Sequence, residues 1–250
     1  YLTFTLFRIQ SMKNVFFLFI LLSVAAFAQT EKNIDPMAIS IIDKMGTVIG
    51  GLEACSFEFH SVDDSQNANG LWERKFDSHE VFFRGPDKMA IHSRGNNGNE
   101  GYWYNGELIT WYSFDQNNYV TIPAPETIIK TIDSVNTVFG MRFPAADLFY
   151  PSFGDDVLEF FDTVSYVGIK SIEGVDCYHI IAENKTMNFQ LWIENGTFYL
   201  PKKLLIFNKG EHDLTEGTFE NWDTNPSLPD EIFEFIPPEN SDLISIMPKN

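Results

Sequence analysis

Apolar residues recur at intervals of three and four in two stretches of the chain, which is the spacing of one face of an α-helix. The first stretch follows Asp35-Pro36 and stops at Gly50-Gly51. Its apolar members are Met37, Ile41, Met45, Val48 and Ile49. Aspartate can accept hydrogen bonds from the free N–H groups of a first helical turn, and proline at the first position gives up a donor that has no partner there. The pattern predicts a helix over residues 36–49.

The second helical stretch follows Pro123-Ala124-Pro125, a sequence that interrupts strand pairing. Its apolar members are Ile128, Ile129, Ile132, Val135 and Phe139. The spacing predicts a helix over residues 126–139. Residues 145–161 are predicted to form two short helical turns.

Most of the remaining chain alternates apolar and polar residues, which is typical of β-strands. The first group of predicted strands comprises residues 53–62, 72–84, 87–94, 101–104, 107–113 and 118–122. The second group comprises residues 163–172, 175–183, 187–194, 197–208 and 213–223, with a last short strand at 232–235. Short links containing Gly and Asn join them, so consecutive strands are expected to pair antiparallel. The polar tail after Pro237-Pro238 is expected to be loosely held.

The stretch GYWYNGELITWYS, residues 101–113, places large apolar side chains on both faces of a predicted hairpin. Asn105-Gly106 is typical of a two-residue turn, which would place Tyr104 opposite Glu107. One face then carries Tyr102, Tyr104, Ile109 and Trp111, and the other carries Trp103, Leu108, Thr110 and Tyr112. The first face is the more apolar and is assigned towards the helices, whereas the second needs partial cover.

A second Asn-Gly pair, Asn195-Gly196, predicts the same two-residue turn between the strands at 187–194 and 197–208. Leu191, Ile193, Phe198 and Leu200 would share one face of this hairpin, and Trp192, Glu194, Thr197 and Tyr199 the other. The alternation between the two faces is clean.

These elements favour a mainly β protein of the α+β class. We expect a curved antiparallel sheet of about ten or eleven strands, forming a half-open barrel around two or three helices. With 24 Phe, 9 Tyr and 5 Trp in the chain, the inward-facing apolar surface exceeds what such helices can cover, and the remainder would form a cavity for a hydrophobic ligand. The predicted wall residues are Met89, Ile91, Tyr102, Tyr104, Ile109 and Trp111. Alternatively these rings simply fill the core, which is the better interpretation for any single residue.

The N-terminal 28 residues are predicted to be an upstream segment and a secretory signal peptide. Met12-Lys13-Asn14 precedes an apolar run that ends in the small-x-small sequence Ala26-Phe27-Ala28. The run is shorter than the roughly 20 residues of a membrane span, so cleavage is favoured over an uncleaved anchor. Residues 29–250 would then form a single exported domain.

The net charge of -18 argues against nucleic-acid binding, because such a surface repels phosphate backbones and anionic membrane faces. Cys55 and Cys177 are the two cysteines of the chain. In an oxidising compartment they could form one long-range disulfide, and two buried free thiols are an equally good interpretation.

Catalytic and metal-binding patterns are weak. The expected exported domain contains no HExxH, GxSxG, Walker or GxGxxG pattern, and its histidines have no metal-ligand spacing. Cys177 and His179 would share a face of one strand, as a thiol and base could, but no third orienting group is evident. The acidic residues at 155–162 could hold calcium, although a solvated helix face explains them better. No enzyme activity, metal or cofactor is predicted.

Several long stretches resemble a known protein family. They are IDPMAISIIDKMGTVIGGL, GPDKMAI, YWYNGELITWYSFDQNNYVTIPAP, MRFPAADLFY, YVGIKSIEGVDCYHI and LWIENGTFYLPKKLLI. Together they are similar to the DUF2092 family of predicted periplasmic proteins, which belongs with the LolA/LolB-like lipoprotein carriers. The resemblance implies an incomplete antiparallel barrel closed by helices around an apolar interior, and in the carriers this fold shelters lipid chains. It transfers no functional residue to this sequence.

Two hypotheses for function follow. In the first, the protein is a periplasmic carrier or binder of a lipid or other acyl-bearing ligand, with a role related to lipoproteins. In the second, it is an envelope interaction or sensor module whose groove binds a protein partner. A hydrolase-like function is the weakest interpretation.

Overall fold

The computed structural model describes residues 32–141, 143 and 145–248. The predicted signal peptide, within residues 1–28, lies outside the described residues. All of the elements below belong to the unit Asn33–Asn250.

A single open sheet of thirteen strands dominates the described part of the chain. The strands are β1 (Asn33–Ile34), β2 (Ala54–Gln66), β3 (Trp72–Arg84), β4 (Lys88–Gly95), β5 (Gly98–Tyr104), β6 (Leu108–Ser113), β7 (Asn118–Pro123), β8 (Thr163–Ile172), β9 (Val175–Glu183), β10 (Met187–Glu194), β11 (Pro201–Asn208), β12 (Leu214–Asp223) and β13 (Asp242–Leu243). The helices are α1 (Pro36–Gly50), α2 (Ile128–Phe139) and α3 (Phe153–Phe160), with short 3-10 helices at Ala146–Phe149 and Asp230–Phe233.

The strand order is β1-β8-β9-β10-β11-β12-β2-β3-β4-β5-β6-β7-β13. Neighbours pair antiparallel, apart from the parallel pairs that β1 makes with β8 and β13 makes with β7. Strands β2–β7 build one half of the sheet and β8–β12 the other, with β1 and β13 each at the edge of the opposite half, and β12 pairs with β2 to join the halves. The predicted fold class is confirmed. The strand number exceeds the prediction by the two-residue strands β1 and β13, which are too short to show a pattern.

Helices α1 and α2 form where the spacing predicted them. Asp35 caps α1 by accepting a hydrogen bond from the Met37 N–H at 2.8 Å, and Thr127 caps α2 through the Lys130 N–H. Gly140 ends α2 with φ of 73°, a conformation that residues with a Cβ rarely adopt. The apolar side of each helix packs into one core with the concave face of the sheet. The residues of α1 that belong to this core are Ala38, Ile41, Ile42, Met45 and Ile49.

The first hairpin has a longer loop than predicted. Tyr104 pairs with Ile109 and Tyr102 with Trp111, so the register differs by two residues from the predicted one. The Asn105 side chain explains the wider loop, because it accepts hydrogen bonds from the backbone N–H groups of Glu107 and Leu108. A shift of two residues keeps every side chain on its predicted face.

The loop of the second hairpin is also longer than the two residues predicted. Strand β11 begins at Pro201, and residues 195–200 form a loop. The Asn195 N–H donates to the Asp176 carbonyl, which draws the loop towards the start of β9. As a result Phe198 is exposed instead of packing beside Leu191.

The C-terminal segment is ordered where a strand and a loose tail were predicted. Residues 230–233 form a 3-10 helix, and Phe233 is only 1% exposed. It packs with Leu228 against Ala90 and Trp103 on the convex face of the sheet. This segment therefore supplies the cover that the second face of the 101–113 hairpin needs.

Candidate functional site

A cleft of about 560 Å³ opens between the concave face of the sheet and the segment that carries α3. The sheet side comes from β2 and β10–β12, and the other side from residues within 143–161. Its apolar lining residues are Phe59, Phe143, Ala145, Leu148, Phe153, Val157, Phe160, Phe161, Met187, Phe189, Leu204 and Ile206. Its polar lining residues are Ser61, Asp63, Asp147, Asp156 and Thr215.

The walls of this cleft are held by ring packing. Phe189 on β10 packs against Phe161 at 6.1 Å and against Phe153 at 6.3 Å between ring centroids, which joins the sheet to α3. Phe59 on β2 is 2% exposed. Phe160, in contrast, is 52% exposed and lines the same cleft. The apolar lining therefore extends from the buried core to the solvent.

Three carboxylates interrupt the apolar lining. Asp63 is half-buried and accepts a hydrogen bond from Thr215 Oγ1 at 2.6 Å. Asp147 and Asp156 are exposed. Although the residue as a whole is exposed, partial desolvation of the Asp147 carboxyl group, and then the charge of Asp156, raise its pKa above the usual range. The cleft therefore combines apolar walls with acidic groups at its solvent side.

A second cavity, of about 350 Å³, shares the walls Ser61, Asp63 and Phe143 with the cleft, and most of its lining residues are polar. Its other lining residues are Asp77, His79, Ile91, Ser93, Asn97, Gly98, Glu100 and Tyr102. We call it the polar pocket. Its carboxylates are positioned by hydrogen bonds from neighbours: Asp77 Oδ2 accepts from Asn97 Nδ2 at 2.7 Å, and Glu100 Oε2 accepts from the Tyr102 hydroxyl at 2.9 Å.

His79 has an unusual environment in the polar pocket. Its Nδ1 lies 2.7 Å from Ser93 Oγ, whereas its buried Nε2 has no hydrogen-bond partner among the described residues. The side chain is 7% exposed. Burial lowers the pKa of His79, although the charges of Asp77 and Asp63 oppose this effect. The ring is thus neutral near pH 7 and keeps one free polar atom.

The predicted wall residues are distributed between the core and the polar pocket. Ile91 and Tyr102 line the pocket. Met89, Tyr104 and Ile109 are at most 3% exposed and belong to the closed core, so they line neither cavity. Trp111 is half-buried opposite Tyr102 on the concave face. Sequence reasoning missed the sheet walls Phe59, Phe189 and Leu204. Their alternation marked them as buried, but no local signal separates a cleft wall from the core.

The two cysteines are free thiols, so the disulfide interpretation is wrong. Cys55 lies on β2 and Cys177 on β9, which are separated in the sheet by β10, β11 and β12. Four strand spacings of about 4.8 Å far exceed the Cα separation of roughly 6 Å that a disulfide allows. Burial raises the pKa of the Cys55 thiol to about 12 and of the Cys177 thiol to about 11.

Cys177 and His179 lie on the same strand, but each has a structural partner. Cys177 Sγ donates to the Val175 carbonyl at 3.5 Å. His179 stacks on Trp192 with ring centroids 4.4 Å apart and contacts Gln190 Oε1 through Nε2. No described contact joins the thiol to the imidazole, so they do not form a nucleophile and base.

One group of side chains has the spacing of a metal site. Ligand atoms of Glu58, His60 and Glu220 all lie within 4.8 Å of one another on the convex face of the β2–β12 pair. They could hold a divalent cation, although half-exposed carboxylates often cluster without one. The acidic residues at 155–162 form no comparable group in the described part of the chain. Glu220 was not predictable, because it reaches Glu58 only through the pairing of distant strands.

Among the described residues, no helix is long and apolar enough to cross a membrane. The open, curved antiparallel sheet with helices and an apolar cleft on its concave face places the protein in the LolA-like fold class. The chain belongs to the DUF2092 family of predicted periplasmic proteins, whose model matches residues 38–247. The resemblance seen in the sequence is thereby confirmed. No curated protein matches the chain.

Several solved structures are similar to this chain at low identity. The Mycobacterium tuberculosis lipoprotein LppX is 13% identical, with a TM-score of 0.50 over 78% of this chain and 98% of that chain. An uncharacterized conserved protein from Thermus thermophilus is 8% identical, with a TM-score of 0.47 over 83% and 98%. A chain of the Pseudomonas aeruginosa MucA/MucB complex is 13% identical, with a TM-score of 0.47 over 84% and 64%. The likeness to LppX, at 13% identity, shows the fold and nothing further.

Proposed function

We propose that this protein binds and carries a hydrophobic ligand, a lipid or another acyl-bearing molecule, in the periplasm. The observation that carries the proposal is the cleft of about 560 Å³ whose lining is mostly apolar and reaches from the core to solvent at Phe160. Its volume lies in the range of small-molecule sites. Filling it removes apolar surface from water at roughly 25 cal/mol per Å², which favours an apolar occupant.

Binding accounts for the cavities better than catalysis does. The hydroxyl and imidazole that meet in the polar pocket are Ser93 Oγ and His79 Nδ1. An activated serine needs a base that is oriented by a third group. The Nε2 of His79 has no such partner among the described residues.

The predicted signal peptide and the family description support the periplasmic location in this proposal. We assign residues 1–28 to a leader that is removed and residues 29–250 to one LolA-like domain. The family description as a predicted periplasmic protein supports this assignment.

The proposal is tested with purified protein and an environment-sensitive dye. The dye should bind and be displaced by dodecanol, an uncharged amphiphile, and mass spectrometry should detect extractable lipid in the native preparation. Ile206→Trp should weaken dye binding, because Ile206 is half-buried in the cleft wall and a larger side chain would occupy the cleft. Ile169→Trp is the matched control, since Ile169 is 48% exposed and lies outside the cleft.

Absence of both dye binding and extractable lipid would overturn the proposal. Equal effects of the two tryptophan variants would show that the dye binds elsewhere. If the lipid-free protein captured one specific envelope protein, and Ile206→Trp abolished that capture, the interaction-module hypothesis would replace the carrier.

A further inference from the structure

We propose that the ligand is a single-chain amphiphile with a protonated amine as its head group, whose alkyl chain lies in the cleft and whose head lies in the polar pocket. This inference rests on the proposed function and adds the chemical class of the ligand. It follows from the arrangement of two cavities with different linings that share the walls Ser61, Asp63 and Phe143.

The carboxylates that line the two cavities give both of them negative charge. Asp77 and Glu100 line the polar pocket, and Asp63 lies in the wall common to both cavities. Asp147 and Asp156 line the cleft. The described lining residues include no lysine or arginine. A carboxylate or phosphate head would therefore meet only like charge, whereas an ammonium group would find carboxylate partners.

Asp63 marks the boundary between the cleft, which takes the chain, and the polar pocket, which takes the head. Asp63 is half-buried between the two cavities, and its hydrogen bond from Thr215 holds one oxygen in place. Lys75 lies opposite Asp63 in the β2–β3 register, but no hydrogen bond or ion pair between the two side chains is seen among the described residues, and Lys75 lines neither cavity. The charge of Asp63 is thus available to a head group that enters the polar pocket while the chain remains among the rings.

His79 supplies a second observation that points to a polar occupant. It is more than nine-tenths buried and lines the polar pocket, and its buried Nε2 has no hydrogen-bond partner in the described part of the chain. If the N–H of His79 is on Nδ1 and donates to Ser93 Oγ, the Nε2 lone pair is free to accept a hydrogen bond. An ammonium group carries donors for this lone pair and for the carboxylates at once, which a hydroxyl with its single proton cannot do.

The test compares three dodecyl amphiphiles in displacement of the same dye, at a pH of about 7 and low ionic strength, where surface charges are least screened. Dodecylammonium should displace the dye at a concentration at least about tenfold lower than dodecanol, and dodecanoate should be weaker than dodecanol. The double variant Asp63→Asn, Glu100→Gln keeps amide oxygens as acceptors for Thr215 and Tyr102 but removes two charges. It should bring dodecylammonium to within about threefold of dodecanol.

Two controls accompany this comparison. Glu80→Gln removes one negative charge from the convex face of β3, beside His92, and should leave the preference unchanged. Arg142 precedes Phe143 in the sequence and lies outside the described residues. Arg142→Gln should therefore preserve the order of the three ligands, because the proposal assigns the head group no cationic partner.

The outcomes separate the two proposals. If dodecanol displaces the dye but dodecylammonium is no better, or if dodecanoate binds best, the amine assignment is wrong while the carrier function stands. An ammonium preference that survives the double variant would also overturn the assignment, because the charge of the whole surface would then explain it. If none of the three amphiphiles displaces the dye, the carrier function itself fails.

Discussion

The ring centroids of Trp103 and Phe235 lie 5.0 Å apart on the convex face of the sheet. Phe235 also contacts Tyr112 at 5.5 Å and Tyr119 at 5.1 Å. These three rings belong to β5, β6 and β7, so the C-terminal segment covers neighbouring strands at once. A hairpin that is apolar on both faces is stable here because α2 and the core cover one face and this segment covers the other.

Removal of the Phe233 side chain should destabilise the protein strongly. Phe233 is 1% exposed and packs with Leu228 and Ala90. We expect Phe233→Ala to lower the free energy of unfolding by about 3–5 kcal/mol, measured by urea denaturation. Ile236→Ala, at a site that is 82% exposed, is the control and should change it by less than about 0.5 kcal/mol. A loss below about 1 kcal/mol for Phe233→Ala would mean that the segment is not packed as described.

The cap of α1 should contribute measurably to stability. Asp35 accepts hydrogen bonds from the backbone N–H groups of Met37 at 2.8 Å and Tyr166 at 3.3 Å, and so connects α1 to β8. Asp35→Ala should lower the free energy of unfolding by about 1 kcal/mol. Asp35→Asn keeps one oxygen acceptor and should retain about half of this contribution. Equal losses in the two variants would show that the hydrogen bond to Met37 is not the cause.

The thiols should be unreactive in the native protein. Burial raises the pKa of Cys55 to about 12 and of Cys177 to about 11, so little reactive thiolate exists at neutral pH. We expect a thiol reagent to react roughly a hundredfold or more slowly with the native protein than with free cysteine. In guanidinium chloride without reductant, both thiols of the chain should titrate. Detection of none under those conditions would indicate a disulfide and contradict the fold.

Acidification should weaken the fold through His79. Burial holds the pKa of His79 below its usual value of 6.5, so the unfolded chain takes up this proton at a higher pH than the native protein does. The free energy of unfolding should therefore fall as the pH decreases through about 6.5, and His79 should add no further loss below its native pKa. His79→Gln should flatten the dependence between about pH 7.5 and about pH 5.5.

Urea denaturation across this range measures the effect, with His212→Gln, at an exposed position, as the matched control. A His79→Gln protein with the pH dependence of the wild type would show that the imidazole is not buried as a neutral group.

The apolar periodicity predicted most elements to within a few residues, including α1 at 36–50 and β9 at 175–183. Predictions from turn residues were less accurate. Asn105 and Asn195 both precede glycine, yet side-chain and loop hydrogen bonds widened both turns. Turn residues report local preference, and competing contacts from neighbouring elements override it.

The sequence predicted an apolar cavity and placed its walls on β4–β6, at Met89, Ile91, Tyr102, Tyr104, Ile109 and Trp111. The excess of aromatic rings indicated a cavity, but the cleft lies against β10–β12 and not against the 101–113 hairpin. Every inward position of a curved sheet has the same alternation, whether a helix covers it or not. The positions of α3 and the 146–149 helix determine which rings remain uncovered.

By itself the sequence determined the secondary structure, the concave face of the strands and the family, because these depend on residue order over short distances. Only the tertiary structure decided the cleft, the polar pocket beside it and the contact of Glu58 with Glu220. The cleft and the Glu58–Glu220 contact depend on β12 pairing with β2, which brings together residues about 160 positions apart, whereas the polar pocket depends on Phe143 lying against β2–β5. No local pattern specifies such a pairing, since it forms only when the two halves of the sheet bury a common core.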